Sequence, residues 1–173
     1  SVSLHHEEKE SDTLLNVFFK KISWDEINEF RVFLVRYLQY YLSKFHSSFF
    51  KTEEQIKKNV SNLSYIIQEL LQNANAYSYG PYDYELELKY SKNKFYVTVS
   101  NFADENNVKI LKTIIDEIKS TKDMKTLLLK YMLSEDKHLG IISCVFNYKI
   151  TDFNFSYIDN KIAHINLTID AES

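Results

Sequence analysis

The sequence predicts an α/β two-layer sandwich, a mixed and mostly antiparallel sheet with helices on one face. Three observations carry this. Segments that alternate apolar and polar residues come in pairs joined by short polar turns, the pattern of antiparallel hairpins. Between the pairs lie longer segments with apolar residues three and four positions apart, the pattern of amphipathic helices. The helical segments are grouped rather than interleaved with single strands, so they pack together on one face of one sheet.

Taken in order, the polar stretch Ser1 to Asp12 reads as a flexible N-terminus, and 13–173 as one domain. Thr13 to Ile22 alternates as a strand. Ser23-Trp24-Asp25-Glu26 is a capping box opening a long helix from Trp24 to Phe45, with Ile27, Phe30, Leu34, Tyr37, Leu38, Tyr41 and Phe45 as its apolar stripe. Thr52-Glu53-Glu54-Gln55 is a second box. Its helix steps through Ile56, Val60, Leu63, Ile67, Leu70, Ala74 and Tyr77, then stops at Gly80-Pro81. Tyr84 to Tyr90 and Phe95 to Val99 form a hairpin about Ser91 to Lys94. Three further helices follow, over Asp104 to Lys119, Met124 to Leu133 and Leu139 to Asn147. Ile150 to Tyr157 and Ile162 to Ile169 form a closing hairpin through Asp159-Asn160-Lys161.

Composition excludes several classes. Hydrophobic residues make up 45% of the 173 positions, too many for a disordered chain. The formal net charge is -3, with both signs interleaved, so no basic footprint for nucleic acid is present. No apolar run approaches a membrane span, and no secretory segment opens the chain. The single cysteine, Cys144, sits in the apolar run Ile141 to Phe146 and reads as a buried, inert thiol. These features predict a cytoplasmic protein that binds neither nucleic acid nor membrane. With 2 glycines and 1 proline, the chain has little backbone able to turn tightly or to approach a phosphate closely.

The candidate chemistry lies in Glu69-Leu70-Leu71-Gln72-Asn73-Ala74. Glu69 and Asn73 are one helical turn apart, so they share a flank at the border of the apolar stripe. An amide oxygen there suits a magnesium ion, and a carboxylate suits a general base. This Glu-x-x-x-Asn helix, followed by a hairpin, a loop and a late helix with Leu139-Gly140, resembles the ATPase fold of histidine kinases and anti-sigma-factor kinases. It is especially similar to a little-studied group of bacterial regulators related to the latter.

The resemblance implies catalysis by Glu69, magnesium held by Asn73, adenine contacted at Asn101 and phosphate at Gly140, if the site is active. The family's Asp-x-Gly-x-Gly turn is degenerate here. Asn101 stands for the Asp, while Ala103 and Glu105 stand for the glycines. An ordinary strand-to-helix loop with Asn101 or Asp104 as helix cap is the simpler reading of that segment. The charged, helical stretch from Glu105 to Leu133 replaces the family's lid.

The expected function is therefore a regulator that binds a protein, with no cofactor required. As the resemblance implies it, the partner is a response-regulator, sigma-factor-like or STAS-like domain. Tyr77, Tyr79, Tyr82 and Tyr84 form the candidate partner-binding patch. The Trp24 to Phe45 helix is a candidate homodimer surface. The alternatives are an active Ser/Thr protein kinase using Mg-ATP and an ATP sensor without turnover.

Overall fold

The computed structural model describes residues 12–78, 80, 83–133 and 139–172. The alternating segments are strands and the periodic ones helices, in the order β1 (Asp12–Phe19), α1 (Trp24–Phe45), α2 (Glu53–Tyr77), β2 (Tyr84–Ser91), β3 (Lys94–Phe102), α3 (Glu105–Ser120), α4 (Met124–Leu133), α5 (Leu139–Asn147), β4 (Ile150–Ile158) and β5 (Ile162–Asp170). The strands form one open sheet in the order β1-β2-β3-β5-β4, and every described pairing is antiparallel. The first strand starts one residue earlier than its alternation suggests and ends at Phe19, not Ile22. Asp12 is held there by the Tyr41 hydroxyl at 3.0 Å and lies 3.3 Å from His46 Nε2.

Two short turns set the hairpin registers. Lys92 and Asn93 join β2 to β3, and Asp159 and Asn160 begin the turn from β4 to β5; all four have positive φ. Asn and Asp tolerate that region better than other side-chain-bearing residues, which is how hairpins form in a chain with so few glycines. Both outer strands break register, β1 between Thr13 and Leu15 and β4 between Ile150 and Asp152. At the first break, the Tyr37 hydroxyl donates to the Leu14 carbonyl at 2.7 Å.

Strand alternation sorts the two faces. Tyr84, Leu86, Leu88 and Tyr90 of β2, Phe95, Val97 and Val99 of β3, and Ile165, Leu167 and Ile169 of β5 are buried beneath the helices. The other face carries Glu87, Thr98 and Asn166 in one cross-strand row, with Thr98 Oγ1 donating to Asn166 Oδ1 at 2.6 Å. That face is largely polar, with Phe18 and Tyr96 exposed on it, and takes no part in the core.

Helix α2 is the axis of the helical layer. Ten of its residues are buried, including Val60, Leu63, Ile66, Ile67 and Leu71, and it packs on α1, α5, β2 and β3. Each fully buried aliphatic side chain contributes about 1.5–3 kcal/mol of apolar burial. Both predicted caps form. Ser23 accepts from Glu26 N–H at 3.3 Å, and Thr52 accepts from Gln55 N–H at 3.1 Å.

Two asparagines of α2 tie distant chain to it. Asn59 donates to the Glu172 carbonyl at 2.8 Å and accepts from its N–H at 2.7 Å. Asn75 treats Ile22 the same way, accepting from its N–H at 3.0 Å and donating to its carbonyl at 2.8 Å. On α1 the expected stripe shifts at its end: Leu42 is buried, whereas Phe45 is 59% exposed. Phe45 leans on the Tyr41 ring at 5.1 Å, while the neighbouring His46 turns to the sheet, 4.5 Å from the Tyr90 ring.

Candidate functional site

The carboxyl half of α2 brings Glu69 and Asn73 onto one side, where each meets a different neighbour. Asn73 shares a small cavity with Asn101, which is the next inward-facing residue of β3 after Val99 and is 93% buried by its 7% exposure. Tyr77, Ala103 and Ala163 complete two walls, and Asn107, Val108 and Leu111 of α3 close the third. The cavity measures about 20 Å³, room for a water.

The reason is in the Asn101 to Glu105 segment. Ala103 and Glu105 are absent from the described residues with positive φ, so the family's glycine turn is not made. Instead β3 runs on to Phe102. The Ala103 N–H donates to the Lys161 carbonyl at 3.0 Å, and its own carbonyl accepts from the Tyr157 hydroxyl at 3.0 Å. Asp104 then caps α3, accepting from Asn107 N–H at 2.8 Å. Of the two residues that sequence reading offered as cap, Asp104 takes the role, and Asn101 donates to the Phe102 carbonyl at 3.2 Å. Pinned in this way, α3 lands on the end of β3 and β5. Val108 packs with Ala103 and Ala163 in a small apolar cluster of its own.

Glu69 meets α5. A methyl group on Gly140 would overlap the Glu69 carboxylate where it lies, so that side chain rests directly against the first turn of α5. The start of a helix presents free N–H groups that attract an anion. The Glu69 carboxylate thus lies where the resemblance assigns a phosphate. Below it are Ile66, Leu70, Ile141, Cys144 and Phe153, a tightly filled apolar bed. Burial there raises the Glu69 carboxyl above its usual range. Burial, with the Glu69 charge second, pushes the Cys144 thiol up to about 12, so it stays protonated and unreactive.

Nucleotide-sized ligands occupy clefts of roughly 300 Å³ or more. The cavity at Asn73 and Asn101 is well below that size. The sequence places helix from Glu105 to Leu133 in the space of the family's lid, and α3 supplies Asn107, Val108 and Leu111 to this cavity.

The tyrosine patch divides. Tyr77 is half-buried against the cavity. Tyr84 is 0% exposed and stacks on Phe19 at 5.4 Å, and burial pushes its hydroxyl up to about 12. It is a core residue of β2 and meets no partner, because it sits on the inward side of the strand with Leu86 and Leu88. Tyr79, Tyr82 and Pro81 lie outside the described residues, as do His138 and the terminal stretch 1–11. The α1 surface offers exposed Trp24, Phe33, Tyr40 and Phe45. No helix of the described residues is long and apolar enough to cross a membrane, and no cluster among them has the donors for a metal ion.

The fold is an α+β sandwich of one antiparallel sheet and five described helices. A chain in the crystal structure of the SiaB-SiaC complex from Pseudomonas aeruginosa shares it, at 17% identity and a TM-score of 0.57, over 91% of this chain and 89% of that one. No protein-family model and no curated protein sequence matches this chain.

Proposed function

We propose that the chain is a bacterial signalling regulator that works by binding another protein, on a histidine-kinase-like or anti-sigma-like fold whose nucleotide pocket has closed. One observation supports the reading: α3 walls the small cavity at Asn73 and Asn101, and the Glu69 carboxylate lies against Gly140, the positions to which the resemblance would assign a base and phosphates. The structural neighbour, solved as a complex of two proteins, supports protein binding as the use of this fold. The partner's class under this reading is a response-regulator, sigma-factor-like or STAS-like domain. The test is a thermal shift with millimolar Mg-ATP, expected to leave the melting temperature unchanged. It is paired with purification from the native cell, expected to yield a stoichiometric protein partner that re-forms the complex from purified components.

A second reading, an active Ser/Thr protein kinase or a nucleotide sensor, is favoured by the convergence of Glu69, Asn73, Asn101 and Gly140 around one end of α2. It requires α3 to withdraw from Asn101. A Mg-ATP shift accompanied by phosphoryl transfer that Glu69→Ala abolishes would establish the kinase and overturn the first reading. A shift without transfer would establish the sensor.

A further inference from the structure

A cleft far from the Glu69 end has a different character. It is an open groove of about 580 Å³ between the last turns of α1 and the first turns of α2. Its floor is apolar, made by Phe50 and Ile56 at 2% and 8% exposure. Tyr40, 56% exposed, stands along one wall. The charged residues lining it are Arg36, Lys51 and Lys57, against the single carboxylate of Glu53. Lys44 adds a fourth cation beside the wall, its ammonium 5.4 Å from the Tyr40 ring centroid.

The sign of this groove opposes that of the chain, whose net charge is -3. Arg36 and Lys51 make no ion pair among the described residues. Lys57 pairs only with Glu53 one turn away at 3.0 Å, an exposed contact worth little. The other lysine-rich hollow differs: Lys58 and Lys149 there meet Glu172, and Lys94 meets Asp170. Three of its four lysines are matched within the chain, and among the described residues Lys92 alone is left over. The α1–α2 groove differs in joining two such unmatched cations to an exposed aromatic and an apolar floor.

We propose that this groove docks an acidic segment of the partner protein, its carboxylates meeting Arg36 and Lys51 and an apolar side chain resting on Phe50 beside Tyr40. The proposal rests on the reading that the chain binds a protein. Nucleic acid is disfavoured as the occupant, because a few cations on an otherwise acidic molecule neutralise too few phosphates to hold it. Complementary charge of this kind governs the encounter rate and the choice of partner, and the aromatic anchor supplies the area.

The test uses fluorescence anisotropy of a labelled peptide of alternating Glu and Leu, the same peptide with Gln for Glu, and a single-stranded DNA of equal charge. The acidic peptide is expected to bind the wild type and to weaken with added salt. Arg36→Glu with Lys51→Glu is expected to weaken it about tenfold or more. Lys112→Glu with Lys122→Glu, an equal charge change at exposed sites on the other side of the molecule, is expected to leave it unchanged. All four substituted positions are exposed, so both variants should melt close to the wild type.

Equal binding of the Gln peptide, equal loss in both variants, tighter binding of the DNA, or no binding at all would overturn the proposal. The two readings fail separately. A Mg-ATP shift with charge-sensitive peptide binding removes the closed-pocket reading and leaves the groove. A native partner whose complex tolerates Arg36→Glu with Lys51→Glu removes the groove and leaves the protein-binding reading.

Discussion

Helix α2 has two ends with opposite surroundings. Its amino end opens on a groove of about 580 Å³ whose cations face solvent. Its carboxyl end closes on a cavity of about 20 Å³ between the half-buried Asn73 and the buried Asn101, with the Glu69 carboxylate turned onto α5. The helix is continuous, and the same apolar stripe holds both ends to the sheet. What differs is what lies opposite. The Phe45 to Lys51 connection leaves space beside α1, while the glycine-free Asn101 to Glu105 segment delivers α3 straight onto the sheet. A motif on a helix therefore says little about a site until the facing segment is known.

The comparison can be broken from the middle outward. Leu63, 1% exposed, lies in the stretch common to both ends. Leu63→Ala should cost about 2–5 kcal/mol, read as a lower urea midpoint, and should loosen groove and cavity together. If peptide binding at the amino end survived intact in a variant so destabilised, the two ends would be independent.

The next effect sets asparagine against asparagine. Asn59→Ala leaves the Glu172 N–H without its acceptor and its carbonyl with only the 3.3 Å bond from Gln55, and should cost about 1–3 kcal/mol by chemical denaturation. Asn73→Ala, at a cavity with room for water, should stay within about 0.5 kcal/mol. Equal costs would mean that the carboxyl end is as tightly built as the amino end.

Smaller still is the pair Ala103→Gly and Glu105→Gly, which restores the resembled family's glycines. Each should cost about 0.5–1 kcal/mol of backbone entropy. No Mg-ATP shift should appear, because the Tyr157 and Lys161 hydrogen bonds still pin the loop. An ATP shift in this variant would show that the glycines alone keep the pocket open.

The smallest effect concerns pH. Burial raises the Glu69 carboxyl, so the unfolded state gives up this proton first. Its contribution is fully present below the unfolded carboxyl range and is lost as pH rises towards the folded value. Glu69→Gln should therefore melt slightly above the wild type at neutral pH, with the gap closing in acid. A gap that widened on acidification would mean that the carboxylate is held by hydrogen bonds at the helix start instead of penalised by its apolar bed.

Much of the fold was legible because it is written in local period and caps. Ser23, Thr52 and the two hairpin turns sit where spacing puts them, and α4 and α5 match their periodic segments. Misjudged positions have physical reasons. Phe45 continues the apolar step, yet it is His46 that meets the sheet there, at Asp12 and Tyr90. Tyr84 was grouped with the tyrosines near Gly80 as a partner-binding patch, although its alternation with Leu86 and Leu88 already assigned it to the core. The roles of Asn59 and Asn75 were invisible locally, since their partners lie 113 and 53 residues away. The Glu69, Asn73, Asn101 and Gly140 set could be picked out from the sequence, but not its division between two neighbours, which depends on how α3 and α5 return.

The broken registers of β1 and β4 bear on how this molecule behaves in a crowd. An open sheet offers two rows of hydrogen-bonding groups to any passing chain, and a regular outer row invites stacking into fibres. Here both rows lose their even spacing, and the Leu14 carbonyl already has a donor in Tyr37. Concentrated solutions should consequently stay clear, and a second chain that joins this one should arrive from the helical side.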